Sequence, residues 1–148
     1  MFWLSAELPP EIPPACVAQA STHYSVPAEL LVAVVRQEGG KVGVAYERSH
    51  GTYYGPGNIS NKWLPTFAPW GYTAEVLTHN ACANIYATGY VLAFYWGRER
   101  NWPRAIARFN VGSLDTPARI DAGTRYARKV LGHWSAIYTK WNNAANAN

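Results

Sequence analysis

The segment from Pro27 to Gly40 constrains the fold more than any other part of the sequence. Three apolar residues and one acid recur in it at the i, i+3, i+4, i+7 spacing of a single helix face: Leu31, Val34, Val35 and Glu38. Proline is favoured at helix starts, and Gly39-Gly40 is a typical helix stop. The pattern predicts a helix from Pro27 to Glu38 whose apolar face enters a core and ends in a carboxyl group.

Helical patterning recurs on both sides of an irregular middle segment. Proline starts and apolar spacing predict further helices at about Pro14–Tyr24, Ala81–Arg100, Pro103–Asn110 and Thr116–Tyr138. In residues 39–72 Gly, Pro, Tyr and Asn dominate and no helical period survives, and such long irregular segments are usually functional. We expect a mainly α, single-domain fold, with one short β-hairpin in the irregular segment at about 41–72, around residues 52–54.

Length and composition set the domain boundaries. A chain of 148 residues suits one core, so the domain is predicted at 14–141, after an extended arm at 1–13 and before a frayed tail at 142–148. No apolar run is long enough to span a bilayer, so no membrane span is predicted. The start lacks the basic region of a signal peptide, so we expect either a missing targeting segment or another export route.

Charge and aromatic content indicate the class of partner. The net charge of +4 suits an anionic polymer, whether a glycan or a nucleic acid. Most basic residues are scattered, and the loose cluster at Arg98, Arg100, Arg104 and Arg108 is also what a solvated helix face would give. Because no nucleic-acid-binding motif is present, no nucleic acid partner is predicted. Seven Trp and ten Tyr indicate a carbohydrate cleft, since their rings stack on sugar faces.

Glu38 is the first candidate for catalysis. A carboxyl at the end of an apolar stripe is partly desolvated, which raises its pKa and suits a glycosidase acid. The alternative is an ordinary glutamate that turns to solvent at a helix end. Glu47 is the other acid of the irregular segment with a plausible reach to a cleft, and this shortage of second carboxylates is itself informative. No metal motif, Ser-His-Asp triad or phosphate loop is found, so no metal or cofactor is predicted.

The two cysteines, Cys16 and Cys82, fit no zinc motif, because their spacing is wrong and the histidines stand far apart. In an exported protein they would form a disulfide. The alternative is a pair of buried free thiols.

A series of segments in a fixed order carries a family resemblance. They are the helix of residues 24–40 with Glu38 near its end, Gly51–Pro65 with Gly-Pro-Gly-Asn-Ile at 55–59, Cys82-Ala-Asn-Ile85 with Gly89 and Leu92, Ala107-Arg-Phe-Asn-Val-Gly112, and Thr124-Arg-Tyr126 through Leu131. Together they resemble the soluble lytic transglycosylase (SLT) domain family, which has a goose-lysozyme-like helical fold. The chain is most similar to small members associated with conjugation, pilus and secretion machines. The resemblance covers residues 16 to about 131.

The resemblance implies a function and a set of site residues. The substrate would be peptidoglycan, cut at the β-1,4 bond between N-acetylmuramic acid and N-acetylglucosamine to leave a 1,6-anhydro end, with Glu38 as the single acid/base. Residues implied to contact substrate are Tyr54, Gly57, Asn58, Ile59, Phe109, Asn110 and Tyr126. Among them, Tyr126 would hydrogen-bond Glu38. The implied location is the periplasm or the cell wall, with components of a conjugation, pilus or secretion apparatus as further partners.

The sequence also departs from the family pattern. Gly39 stands where Ser is frequent, Gly57-Asn58 replaces a Met-Gln pair, and Tyr54 stands where an acidic residue is expected. From the missing side chain at Gly57 we expect a cleft that lacks one wall. Two alternatives stay open: a hydrolase of the same fold that uses water, and a glycan-binding or assembly module that has lost activity.

Overall fold

A computed structural model describes the backbone of residues 2–146 and the side chains as far as Asn143. The fold is mainly α, as predicted, and about 70% of it is helical. The helices are α1 Phe2–Glu7, α2 Pro14–Tyr24, α3 Ala28–Glu38, α4 Leu64–Phe67, α5 Ala74–His79, α6 Ala81–Glu99, α7 Trp102–Val111 and α8 Pro117–Asn146. No helix in this part of the chain is long and apolar enough to cross a bilayer.

Helix α3 lies at the centre of the core. It contacts α2, α6 and α8, and every residue from Leu30 to Val35 is buried. The sequence predicted burial of one stripe, whereas the surrounding helices cover the middle of α3 on all sides. Gly39 adopts a left-handed φ of 66° directly after Glu38, which ends the helix as predicted. The core therefore holds α3 rigidly and brings its last residue to the protein surface.

The irregular segment contains a small antiparallel sheet in the order β1-β2-β3. Its strands are β1 Ala45–Arg48, β2 Gly51–Tyr54 and β3 Ile59–Ser60. In the register, Arg48 pairs with Gly51, and Tyr54 pairs with both Ala45 and Ile59. The predicted hairpin is present and gains a third short strand. Two 3₁₀ turns, Asn61–Trp63 and Ala68–Trp70, flank α4 after the sheet.

The prediction of an extended arm at 1–13 is wrong for Phe2–Glu7, which is helix α1. The segment is ordered because its apolar side chains are buried. Leu4, Leu8 and Ile12 lie four residues apart in sequence, and all three are buried in the core. Apolar contacts therefore order a segment whose prolines suggested an irregular arm.

Glu7 connects α1 to α3 and α8 through polar contacts. Its carboxylate pairs with Arg36 on α3, and it accepts hydrogen bonds from Lys140 Nζ at 2.8 Å and Trp141 Nε1 at 2.9 Å on α8. Hydrogen bonds from Lys140 and Arg36 lower the pKa of Glu7 to about 2, against the smaller opposing effect of burial. These contacts also explain why α8 continues past its predicted end near Tyr138.

The frayed tail predicted at 142–148 is helical as far as Asn146. Ala147 and Asn148 lie outside the described residues. No glycine or proline interrupts the sequence after Tyr138, so nothing in the chain stops the helix there.

Cys16 and Cys82 form a disulfide, which confirms the predicted pairing over the free-thiol alternative. Their Cα atoms are 5.2 Å apart, and the bond joins α2 to the first turn of α6 across 66 residues of sequence. It supports the packing of these two helices, which contact each other extensively.

Replacing both cysteines by serine is expected to lower the free energy of unfolding by about 2 to 4 kcal/mol, because the unfolded chain regains the freedom of the closed loop. Urea denaturation with and without reductant measures the effect. The wild-type protein in reductant is the control and should lose a similar amount. An oxidised and a reduced wild-type protein of equal stability would contradict this expectation.

Candidate active site

Two adjoining cavities of about 560 and 300 Å³ form one cleft between the small sheet and α7. Their shared lining residues are Tyr53, Asn58, Lys62, Asn110 and Val111. Glu38 lines the larger cavity. We call this combined space the Glu38 cleft.

Glu38 occupies the last position of α3 and is partly buried. Its carboxylate oxygen Oε2 accepts a hydrogen bond from the Tyr126 hydroxyl. Burial raises the pKa of Glu38, and the nearby Tyr126 hydroxyl, Asn58 amide and Arg48 charge oppose the rise without cancelling it. The carboxyl therefore keeps its proton to a higher pH than an ordinary glutamate, as a general acid requires.

Tyr126 approaches Glu38 from α8. It is 9% exposed and does not line either cavity of the cleft, so it supports the carboxyl from behind. Its ring stacks on Phe109 of α7, with centroids 6.4 Å apart and an interplanar angle of 12°. Burial and the neighbouring Glu38 charge raise the pKa of Tyr126 well above its usual range, so its hydroxyl stays protonated and can donate.

The Tyr126→Phe variant is expected to lose about tenfold in kcat/KM, because Glu38 loses the group that orients its carboxyl. Removing this donor also raises the pKa of Glu38 further, since the hydrogen bond stabilises the charged form. The pH above which kcat/KM falls should therefore move upward. A pH–rate profile measures both effects, with Tyr138→Phe as the control on the same helix. An unchanged profile would show that the hydroxyl does not position Glu38.

Asn58 holds the sheet side of the cleft against the end of α3. Its Nδ2 donates to the backbone carbonyl of Glu38 at 3.0 Å, and its N–H donates to the Gly55 carbonyl at 3.0 Å, which closes a tight turn. Its φ of 47° lies in the left-handed region that Asn tolerates better than most residues. The side-chain oxygen Oδ1 is buried and has no partner among the described residues, so a donor on a bound molecule could satisfy it.

The Asn58→Gln variant restores the longer amide of the family pattern and is expected to be about tenfold slower. The extra methylene must displace Nδ2 from the Glu38 carbonyl, and Gln is less tolerant of a left-handed φ than Asn. Steady-state kinetics against Asn142→Gln, an exposed asparagine on α8, measures the change. Faster turnover would instead mean that the short amide is a defect in a decaying enzyme.

Asn84 on α6 is a site residue that the sequence did not single out. It is fully buried and bonds three backbone groups: it accepts from Gly57 N at 2.8 Å in the turn, and it donates to Tyr54 O at 2.8 Å on β2 and to Leu77 O at 2.9 Å on α5. Asn84 therefore fixes the strand and turn that carry Asn58. The available signal was a lone amide between Ala83 and Ile85 on an apolar helix.

The expectation that Gly57 opens one wall of the cleft is wrong. Gly57 is buried against α6, and a Cβ there would overlap Thr88 Oγ1 and lie 3.2 Å from Asn84 Oδ1. Glycine is needed so that the turn can approach α6 closely. Any larger residue would push the turn away from the helix instead of lining the cleft.

Tyr54 also differs from its prediction. Its side chain is 8% exposed and packs in a second core cluster with Phe67 and Leu77. Tyr53 lines both cavities instead, because successive residues of a strand point to opposite faces. The cleft tyrosine is therefore one position earlier than the family pattern suggested.

The other predicted contact residues lie where the cleft continues toward α7. Ile59 is 2% exposed and lines the smaller cavity together with Phe109, whereas Asn110 lines both cavities. The structure thus brings Glu38, Asn58, Ile59, Phe109 and Asn110 together around one space, from parts of the chain far apart in sequence.

The charges around the cleft are unbalanced. Among the described residues, Glu38 is the one carboxylate that lines it, whereas Arg48, Lys62 and Arg119 line the same space. Glu47 is exposed on β1 and lies outside the lining. In residues 2–146 no group of three or more His, Cys, Asp or Glu side chains is placed to hold a metal ion. Arg119 is paired with Asp115 at 2.7 Å, so the cleft can supply one proton donor and the two cations Arg48 and Lys62.

Comparison with known proteins gives no family for this chain. No family model, curated protein or solved structure matches it. The resemblance in the sequence therefore stays a prediction, and the function must be inferred from the chemistry of the Glu38 cleft.

Proposed function

We propose that this chain is a peptidoglycan lytic transglycosylase that cuts the β-1,4 bond between N-acetylmuramic acid and N-acetylglucosamine. The observation that carries the proposal is the single carboxyl of the cleft, Glu38, whose pKa is raised by burial and whose geometry is held by Tyr126. A site with one such carboxyl suits a reaction in which the same group acts first as acid and then as base.

In the first step the protonated Glu38 gives its proton to the bridging oxygen. The bond between that oxygen and C1 of N-acetylmuramic acid breaks, and the other sugar leaves with a free hydroxyl. The positive charge at C1 is stabilised by the carbonyl oxygen of the sugar's own N-acetyl group, as in other glycosidases that use substrate assistance. No second carboxylate is required, in keeping with the lining of the cleft.

In the second step the ionised Glu38 takes the proton of the C6 hydroxyl. The C6 oxygen then bonds to C1 of the same sugar, which gives the 1,6-anhydro ring and returns Glu38 to its protonated form. No water is consumed. A nucleophile within the same ring has a high effective molarity, so it competes well with solvent.

Two further features support a cell-wall substrate. Arg48 and Lys62 make the cleft attractive to the carboxylates of peptidoglycan stem peptides, whereas the charge of Arg119 is already paired with Asp115 at 2.7 Å. The Cys16–Cys82 disulfide suits an oxidising compartment, which fits the proposed location in the periplasm or cell wall. The sequence also resembles small family members associated with conjugation, pilus and secretion machines. We therefore propose that the protein opens the cell wall locally for such an apparatus.

The test is the chemistry of the product ends. Purified peptidoglycan is digested with the wild-type protein, and the fragments are analysed by mass spectrometry. Anhydro ends, each one water lighter than a reducing end, are expected. Reducing ends would identify a hydrolase of the same fold. Binding to peptidoglycan without any cleavage would identify a glycan-binding module and overturn the proposal.

A further inference from the structure

An aromatic surface lies beside the Glu38 cleft and is not used by the proposed chemistry. It consists of Tyr24 at the end of α2, Trp70 and Tyr72 after α4, and Tyr86 and Tyr90 one turn apart on α6. The four tyrosines are partly buried, and Trp70 is 45% exposed. We call these five residues the aromatic surface.

The rings of the aromatic surface are fixed by mutual contacts. Tyr90 is the centre, with ring centroids 4.9 Å from Trp70 and 6.0 Å from Tyr24, in edge-to-face geometry. Tyr24 in turn contacts Tyr86 at 6.1 Å, and Trp70 contacts Tyr72 at 6.0 Å. Because the rings are already held in place, binding of a ligand would cost little conformational entropy of these side chains.

Neighbouring hydroxyl groups also affect the pKa of two of these tyrosines. Burial raises the pKa of Tyr24, and the neighbouring Tyr72, Tyr86 and Tyr90 hydroxyls add to that rise. Burial raises the pKa of Tyr72 too, and Tyr86 contributes in the same way. The surface therefore combines apolar ring faces with tyrosine hydroxyl groups.

The aromatic surface is continuous with the cleft through Trp63. This residue lines the smaller cavity, and its ring lies 6.0 Å from that of Tyr90. A chain of ring contacts thus runs from the cleft wall through Trp63 and Tyr90 to Tyr24 and Tyr86. Trp63 therefore contacts both the cleft and the aromatic surface, which places the two next to each other.

We propose that the aromatic surface binds the continuation of a glycan strand whose reacting bond lies in the Glu38 cleft, so that the protein holds long strands more tightly than short ones. The inference rests on the proposed function for the glycan in the cleft. Its own grounds are the uncharged, ring-and-hydroxyl chemistry of the surface and its continuity with the cleft. Sugar rings offer apolar faces and hydroxyl edges that match both features.

The test uses the full chain with Glu38→Gln, so that strands are bound without being cut, and sacculi stripped of their stem peptides as the probe. Adding Trp70→Ala and Tyr86→Ala should weaken co-sedimentation with these sacculi about tenfold, because two stacking contacts are lost. Tyr138→Ala is the matched control, since Tyr138 is 57% exposed on α8. Circular dichroism melting shows whether each variant is folded. If Tyr86→Ala unfolds, Tyr86→Phe replaces it, because this variant keeps the ring in the core packing and removes only the hydroxyl, and Trp70→Ala then tests the loss of stacking.

A second measurement separates this inference from the proposed function. In proteins that keep Glu38, the ratio of turnover on long strands to turnover on a tetrasaccharide should fall when Trp70 and Tyr86 are replaced. If cleavage occurs but neither the ratio nor the co-sedimentation changes, the aromatic surface is not a glycan site. If no cleavage occurs but co-sedimentation still depends on Trp70, the proposed function fails and the surface stands. If neither cleavage nor glycan binding is seen, both are overturned.

Other occupants of the aromatic surface give different results. A second copy of the chain would make the sedimentation coefficient of the wild-type protein depend on concentration, and Trp70→Ala would abolish that dependence. Such a result, without any effect on glycan binding, would reassign the surface to self-association.

Discussion

The Glu38→Gln variant is expected to lose about 10²- to 10⁴-fold in turnover of peptidoglycan while it keeps its fold, because the amide cannot give a proton to the bridging oxygen. The amide has nearly the shape of the carboxyl, so the core around α3 is undisturbed. It can still accept the Tyr126 hydrogen bond, which preserves the geometry of the cleft. Release of soluble fragments from sacculi measures the loss, and thermal unfolding followed by circular dichroism measures the fold.

The matched control for this variant is Glu47→Gln. It makes the same chemical change on β1, where the side chain is exposed and outside the lining of the cleft. Turnover of the control should stay near that of the wild-type protein. Near wild-type turnover in the folded Glu38→Gln variant would remove Glu38 from the mechanism, and equal losses in both variants would point to a general effect of charge.

The pH dependence of the wild-type protein follows from the same group. The free enzyme needs Glu38 protonated, and burial raises the pKa of Glu38 above that of an ordinary glutamate. kcat/KM should therefore hold at low pH and fall as the pH rises through this raised pKa. The descending limb should disappear from whatever activity remains in Glu38→Gln. A limb that persists there would belong to another group.

Local signals in the sequence located five of the eight helices in residues 2–146, α2, α3, α6, α7 and α8, whereas the short helices α1, α4 and α5 were not predicted. The two ends of α3 are predicted to within one residue by Pro27 and by Gly39-Gly40. A proline near the helix start also located α2, α7 and α8. These features depend on neighbours within a few positions, so one sequence is enough to see them. The position of Glu38 at the end of a buried helix follows from this alone.

Contacts between distant segments were harder to predict. Helix α1 forms because Leu4 is buried in the core and Glu7 makes polar contacts with α3 and α8. No pattern in the neighbouring sequence predicts these contacts with distant helices. The choice between Tyr53 and Tyr54 depends on strand register, which a shift of one residue reverses. The sequence suggests an open cleft wall at Gly57, because nothing near Gly57 in sequence indicates its close approach to Thr88 on α6.

Asn84 is the clearest case of such a nonlocal role, and the Asn84→Ala variant is expected to lose about 3 to 6 kcal/mol of unfolding free energy. Three hydrogen bonds disappear together, to Gly57 N, Tyr54 O and Leu77 O. The buried Gly57 N–H loses its partner, which costs about 1 to 3 kcal/mol before any relaxation, and each lost bond to a carbonyl adds about 0.5 to 1.5 kcal/mol. Urea denaturation measures the change, with the disulfide intact so that α2 and α6 stay joined.

Thr88→Ala is the control for Asn84→Ala. Thr88 is also fully buried, one turn further along α6, but its hydroxyl bonds only the backbone carbonyl of Asn84 at 2.8 Å. The control should lose about 1 kcal/mol, since a helix carbonyl keeps its own helical partner. The folded fraction of Asn84→Ala should also turn over more slowly than that of the control, because the turn that carries Asn58 to Glu38 has lost its anchor. Equal losses of stability and of turnover in the two variants would mean that Asn84 merely fills space and that the turn is held by other contacts.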